Sequence, residues 1–130
     1  PLCSIHIDEN DVPGLIDELP IIAILATQAQ GKSEVSGAKE LRVKECDRIH
    51  AVCKNLGNMG ADIEELDDGF IINGPTNLKS ATIETFHDHR IAMAFTIAGL
   101  IAERDVVLDH PECASISYSE FYDVLEGLKQ

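Results

Sequence analysis

The chain has 130 residues, 45% hydrophobic and 25% charged, and 23 acidic against 10 basic residues set a formal net charge of -13. That composition suits one compact soluble body and excludes a disordered chain, while its acidity disfavours diffuse binding to nucleic acid or anionic membrane, so any anion must be met at a focused site. The longest apolar run, "IAMAFTIAGLIA" at 91–102, falls short of the roughly 18–20 residues a membrane span needs.

Pro1 stands where an initiating Met would be, with no charged-then-apolar leader after it, which predicts a cut rather than a natural start. "CSIHI" alternates as a strand and "DENDVPG" signals a turn. Residues 17–31 predict a helix, with Asp17 and Glu18 in its first turn, Pro20 just inside and Gly31 as its stop. "KSEVSG" predicts a short strand. Over 44–57 the apolar positions Ile49, Val52, Cys53 and Leu56 keep helical spacing, and "GNMGA" closes that helix. "ADIEEL" and "FIING" predict two strands joined by the tight turn "DDG". "ATIET" predicts a strand, 88–102 an apolar helix, "DVVLD" a strand, and "SEFYDVLEGLK" a last amphipathic helix with Phe121, Leu125 and Leu128 on one face. Acid-led apolar helices near Asp17 and Asp88, each followed by a strand, suggest a repeat offset by about 71 residues and an α/β fold.

Cys3, Cys46, Cys53 and Cys113 show no Cys-x-x-Cys spacing, and Cys46 and Cys53 lie two helical turns apart, so they predict reduced thiols of a cytoplasmic protein rather than a zinc site. The polar residues least suited to mere solubility gather at three predicted helix starts. Four of the ten basic residues, Lys39, Arg42, Lys44 and Arg48, fall within ten positions, beside Glu45; His89 and Arg90 open the helix at 88. A helix N-terminus favours anions, and a cation there costs up to about 1 kcal/mol unless an anion sits between. Plainer readings stand beside this one: Asp17 as a helix cap, Glu45 and Arg48 as a surface ion pair, and "HDH" at 87–89 as a fragment of a metal site without its third ligand. Carboxylates to move protons and cations to grip negative groups would together suit a phosphorylated or carboxylated substrate.

"IDELP", "LRVKECDRI" and "HDHRIAMAF", in that order, resemble the carboxy-terminal part of the 5-enolpyruvylshikimate-3-phosphate synthase family. The resemblance implies a partial second domain of the enolpyruvyl transferase fold, an inside-out α/β barrel of repeated strand-helix units, over residues 1–130 with the first domain absent. It implies transfer of the enolpyruvyl group of phosphoenolpyruvate to the 5-hydroxyl of shikimate 3-phosphate with release of phosphate, on the shikimate pathway to the aromatic amino acids, without metal or organic cofactor. By motif, Asp17 resembles the aspartate at the shikimate hydroxyl and a candidate base, and Lys44 the lysine that helps hold shikimate 3-phosphate. Glu45 resembles the glutamate of proton exchange at the phosphoenolpyruvate methylene, Arg48 and Arg90 the arginines on phosphoenolpyruvate, and His89 the neighbouring active-site histidine. Glu40 and Ile116 depart from an asparagine and a lysine found in some members. The family's first domain supplies further groups to the same cleft, so this polypeptide alone is expected to be inactive. The alternatives are the related transferase acting on a UDP-sugar, and a binding module without chemistry.

Overall fold

The computed structural model describes residues 3–102 and 106–109. Its elements run β1 (His6–Ile7), α1 (Val12–Leu15), α2 (Leu19–Ala26), β2 (Gly31–Val35), α3 (Arg48–Asn58), β3 (Asp62–Leu66), β4 (Gly69–Gly74), β5 (Thr82–Ile83), α4 (His89–Ile101) and β6 (Val107–Leu108). The helix expected over 119–129, Cys113 and Ile116 lie outside the described residues.

The hairpin follows from its sequence. Asp67 and Asp68 form the turn, and Leu66 pairs with Gly69 in the first rung of an antiparallel ladder. β4 also pairs with β2, setting Phe70 opposite Val35 and Ile72 opposite Ser33, all four buried on one face. A Cβ at Gly69 would run into the Val35 carbonyl, so only glycine lets the two strands approach there. β1 joins β2 in parallel, which completes a sheet of order β1-β2-β4-β3. Helices α2 and α3 pack on β4, and α4 packs against both helices.

The apolar sequences of α2 and α4 have no strong polar face, which is the pattern of helices covered on several sides. Leu19, Ala23 and Ile24 of α2 and Ile91, Ala94 and Phe95 of α4 are fully buried in one core with Ile49, Val52 and Leu56 of α3. The expected repeat takes physical form as two strand-helix-strand units: parallel β1 and β2 flank α2, and parallel β5 and β6 flank α4. The α/β architecture expected from the alternation of elements is the one observed.

Three helix boundaries differ from expectation. Asp17 lies in a 3-10 turn, Ile16–Glu18, so α2 begins only at Leu19 with Pro20 in its first turn. That helix ends at Ala26 rather than running to Gly31, because Thr27 closes it, with its hydroxyl donating to the Ile24 carbonyl at 2.6 Å. Gly31, at φ 107, instead opens β2. The third helix starts at Arg48, not at 44: Asp47 adopts extended backbone and accepts a hydrogen bond from the His50 N–H at 3.0 Å, the geometry of an N-cap. Lys44 and Glu45 therefore precede the helix, in the connection after the 3-10 turn Lys39–Val43.

Candidate active site

Arg48 is the first residue of α3, and its guanidinium is buried, with 2% side-chain exposure. A charge so placed is stable only when paired and hydrogen-bonded. Four hydrogen bonds do this: Nε donates to Asp88 Oδ2 at 2.8 Å, Nη2 to Asp88 Oδ1 at 3.3 Å and to Glu45 Oε2, and Nη1 to Asp17 Oδ1 at 3.2 Å. One planar fork thus gathers three carboxylates from three separate segments, a role for which arginine is suited and lysine is not.

The carboxylates are not equivalent. Asp88 is wholly buried, whereas Asp17 and Glu45 keep 45% and 54% of their side chains exposed. Asp88 is also the N-cap of α4, its Oδ1 accepting from the Arg90 N–H at 2.8 Å and the Ile91 N–H at 3.3 Å. The Cys46 thiol donates to Oδ2 at 3.3 Å. Burial pushes the Asp88 carboxyl up, but the hydrogen bonds and charge of Arg48, with those of Cys46 and Ile91, outweigh it and leave the group below its ordinary 3.8. Burial likewise works against the Arg48 charge, and Asp88, Glu45 and Asp17 reverse the balance, so Arg48 stays charged at every working pH.

The entry to α4 is strained. Phe86 and His87 both have φ 56, a left-handed conformation that costs a non-glycine residue roughly 1–2 kcal/mol. The Asp88 N–H donates to the Thr85 carbonyl at 3.0 Å across this pair, which makes residues 85–88 a turn of the kind usually filled by Gly or Asn. His89 follows immediately, and ligand-capable atoms of Glu45, Asp88 and His89 lie within 4.8 Å of one another. The trio joins Glu45 to Asp88 and His89 of the "HDH" motif and does not include His87, so it is not the His87–His89 pair with a third ligand added. Asp88 already accepts five donors, however, so a cation held by this trio would compete directly with Arg48.

Of the residues singled out in sequence, Asp17, Glu45 and Arg48 are in direct contact, and His89 stands beside Glu45. The cap reading of Asp17 fails, because its carboxylate goes to Arg48 and α2 has no side-chain cap. The surface-pair reading of Glu45 and Arg48 fails as well, because the arginine is buried. Among the described residues, Lys44 makes only a long 3.9 Å contact with Glu40. Arg90 is partly buried, and among the described residues none forms a hydrogen bond or ion pair with its guanidinium. Arg42 leaves the cluster for β3, where it meets Glu65, Asp47 and the Leu66 carbonyl. Asp88 and Cys46 are not among the site residues that the motifs nominate. The sequence signals for Asp88, an Asp directly before an apolar helix and the centre of "HDH", say nothing of a partner 40 residues away.

Cys46 and Cys53 have thiols pushed up to about 12, each chiefly by burial; for Cys46 the Asp88 charge adds to it. At pH 8 only about one such thiol in 10,000 is ionised, so alkylation is slow. Iodoacetamide followed by peptide mass spectrometry should modify the exposed Cys3 and spare Cys46 and Cys53. Labelling of Cys46 at the Cys3 rate would contradict its contact with Asp88.

The sequence model of EPSP synthase (3-phosphoshikimate 1-carboxyvinyltransferase) matches residues 3–125. The chain belongs to the EPSP synthase family. A 3-phosphoshikimate 1-carboxyvinyltransferase of Aquifex aeolicus is 53% identical over 122 residues, covering 94% of this chain and 28% of that protein. The Methanocaldococcus jannaschii relative of the same name is 46% identical, covering 98% and 29%. Among solved structures, an EPSP synthase of Acinetobacter baumannii superposes with a TM-score of 0.91 at 38% identity, covering 96% of this chain and 30% of that one. The enolpyruvyl transferase NikO of Streptomyces tendae shares the fold, with a TM-score of 0.75 at 17% identity over 99% of this chain and 28% of its own. The chain spans about 30% of the length of the family relatives it matches. These findings support the shikimate branch of the family over the UDP-sugar alternative. Among the described residues, no helix is long and apolar enough to cross a membrane.

Proposed function

We propose that this chain forms one wall of an enolpyruvyl transferase that joins phosphoenolpyruvate to the 5-hydroxyl of shikimate 3-phosphate and releases phosphate. In this reading residues 1–130 are the carboxy-terminal portion of the second of two domains, the first domain supplies the opposing wall, and the protein works in the cytoplasm without metal or organic cofactor. The observation that carries it is the single Arg48 guanidinium holding Asp17, Glu45 and Asp88 together, with His89 beside Glu45.

The division of labour follows from exposure. Asp88 grips one edge of Arg48 from the interior, and the half-exposed Asp17 and Glu45 occupy its outward N–H groups. A substrate carboxylate or phosphate can take those outward donors while Asp17 and Glu45 turn to the reacting atoms, an exchange that leaves the buried pair intact. Arg90, with no partner among the described residues, gives phosphoenolpyruvate a second arginine, and Lys44 supplies a point charge for shikimate 3-phosphate. Glu45, assisted by His89, protonates the methylene carbon; the 5-hydroxyl oxygen bonds to the adjacent carbon as Asp17 takes its proton. The tetrahedral intermediate then returns a proton from the methyl group to the Glu45 carboxylate as the carbon–oxygen bond to phosphate breaks, and the departing phosphate takes the proton held on Asp17. Each group must be pre-placed for this, because proximity and general acid–base action supply most of such a rate.

The test is phosphate release. The 130-residue chain should release none from the two substrates. The same chain, substituted for the matching segment of the Aquifex aeolicus relative, should give turnover that requires both. Turnover by the isolated chain refutes the two-wall reading, and a folded but inactive chimera refutes the functional one.

A further inference from the structure

Arg48 is one of several points at which α3 holds the entry to α4, beside the Lys54 ion pair with Glu84 and the contacts of His50 and Lys54 with the Phe86 ring. Asn55 lies seven residues after Arg48, two helical turns on and therefore on the same face. It is wholly buried, a position where a polar side chain persists only with its bonds made. Its amide Nδ2 donates to the Glu84 carbonyl at 2.8 Å, and its Oδ1 accepts from the Glu84 N–H at 3.0 Å. The side chain thus satisfies both backbone groups of Glu84, as a neighbouring strand would.

The next residue is anchored from the other side. The Thr85 N–H and hydroxyl donate to Asp109 Oδ1 at 2.9 and 2.7 Å, and the Asp109 N–H donates to the Ile83 carbonyl at 3.0 Å. Immediately after these anchors come Phe86 and His87 in their left-handed conformation, then Asp88 bound to Arg48. A strained pair persists only where its two ends are fixed independently. Here Asn55 and Asp109 fix one end and Arg48 the other.

We propose that Asn55 is a positioning residue of the site: by holding Glu84 it keeps the left-handed turn at Phe86 and His87 in place, and so sets where Asp88, His89 and Arg90 stand against Arg48 and Glu45. The structural part stands without the proposed function, which enters only through a kinetic readout.

Amide hydrogen exchange on the 130-residue chain tests it. In Asn55→Ala, the amides of Glu84, Asp88, Arg90 and Ile91 should exchange at least tenfold faster, while Ile72 in the central sheet keeps its protection. Adding His87→Gly, which removes left-handed strain at an exposed residue, should restore protection at Asp88, Arg90 and Ile91 but not at Glu84. Should Asn55→Ala fail to fold, Asn55→Asp, which keeps the acceptor for the Glu84 N–H and loses the donor, is read in the same way. Unchanged exchange at Asp88, Arg90 and Ile91, or faster exchange at every amide alike without rescue by His87→Gly, overturns the proposal. In the chimera, Asn55→Ala should lower kcat/KM for phosphoenolpyruvate about tenfold, with recovery in the double variant; lack of recovery there also counts against it. A chimera inactive before any substitution speaks against the functional reading and leaves the exchange result to decide this one.

Discussion

Asp88→Asn is expected to destabilise the chain by about 3 kcal/mol, the lower end of what it costs to break a buried ion pair by removing one partner. Asp88 is wholly buried and Arg48 nearly so, so water cannot replace the lost charge. The exposed carboxylates of Asp17 and Glu45 remain to offset Arg48 in part, which keeps the effect from the upper end of that range. Asparagine retains one oxygen that can still cap α4. Urea unfolding of wild type and variant at pH 7 measures the difference. The pH dependence has a definite sign. Because the folded-state pKa of Asp88 lies below 3.8, its charged form stabilises the fold above that value, and this contribution is lost as pH falls below 3.8 and through the folded pKa. The gap between wild type and Asp88→Asn should therefore be full at pH 6 and shrink on acidification below 3.8. A constant gap, or one that widens in acid, would show that Arg48 does not hold Asp88 ionised.

Glu45→Gln is expected to do the opposite. More than half of this side chain is exposed, so its loss should change stability by less than about 1 kcal/mol, as for other solvent-screened ion pairs. Turnover in the chimera should fall by about 10²-fold or more, the usual cost of removing a general acid, with the larger part in kcat. Intact turnover would favour the reading of this chain as a binding module without chemistry. The two variants thus separate the structural carboxylate from the reacting one within a single cluster, although both touch the same guanidinium.

Much of the fold was legible because local chemistry decides it. The "DDG" turn between alternating segments predicts the β3–β4 hairpin, and the unbroken apolar run after Asp88 predicts α4 to within a residue or two. Helix starts were less legible. Asp47 is a better cap than anything near Lys44, yet the dense charge from Lys39 to Arg48 masks it. Asp17 looks like the acid of a first helical turn, and only the buried Arg48 explains why its carboxylate points elsewhere. The same limit hides Asp88 and Asn55. Each passes for an ordinary polar position of its own segment, and its value lies in a partner tens of residues away that periodicity cannot reveal. Three of the four members of the cluster, Asp17, Glu45 and Arg48, could be nominated from motif resemblance; that Asp88 closes the set became visible only in three dimensions.

The central claim is that one buried guanidinium gathers these carboxylates, and the most direct measurement of it is hydrogen exchange at the Arg48 Nε–H, followed by side-chain ¹⁵N NMR on the 130-residue chain. A resonance for Arg48 that is resolved from those of the other arginines, exchanges at least a hundredfold more slowly than an unfolded peptide's, and is lost in Asp88→Asn is the predicted result. An Arg48 Nε–H that exchanges as fast as in an unfolded peptide, or that is unmoved by Asp88→Asn, would contradict it.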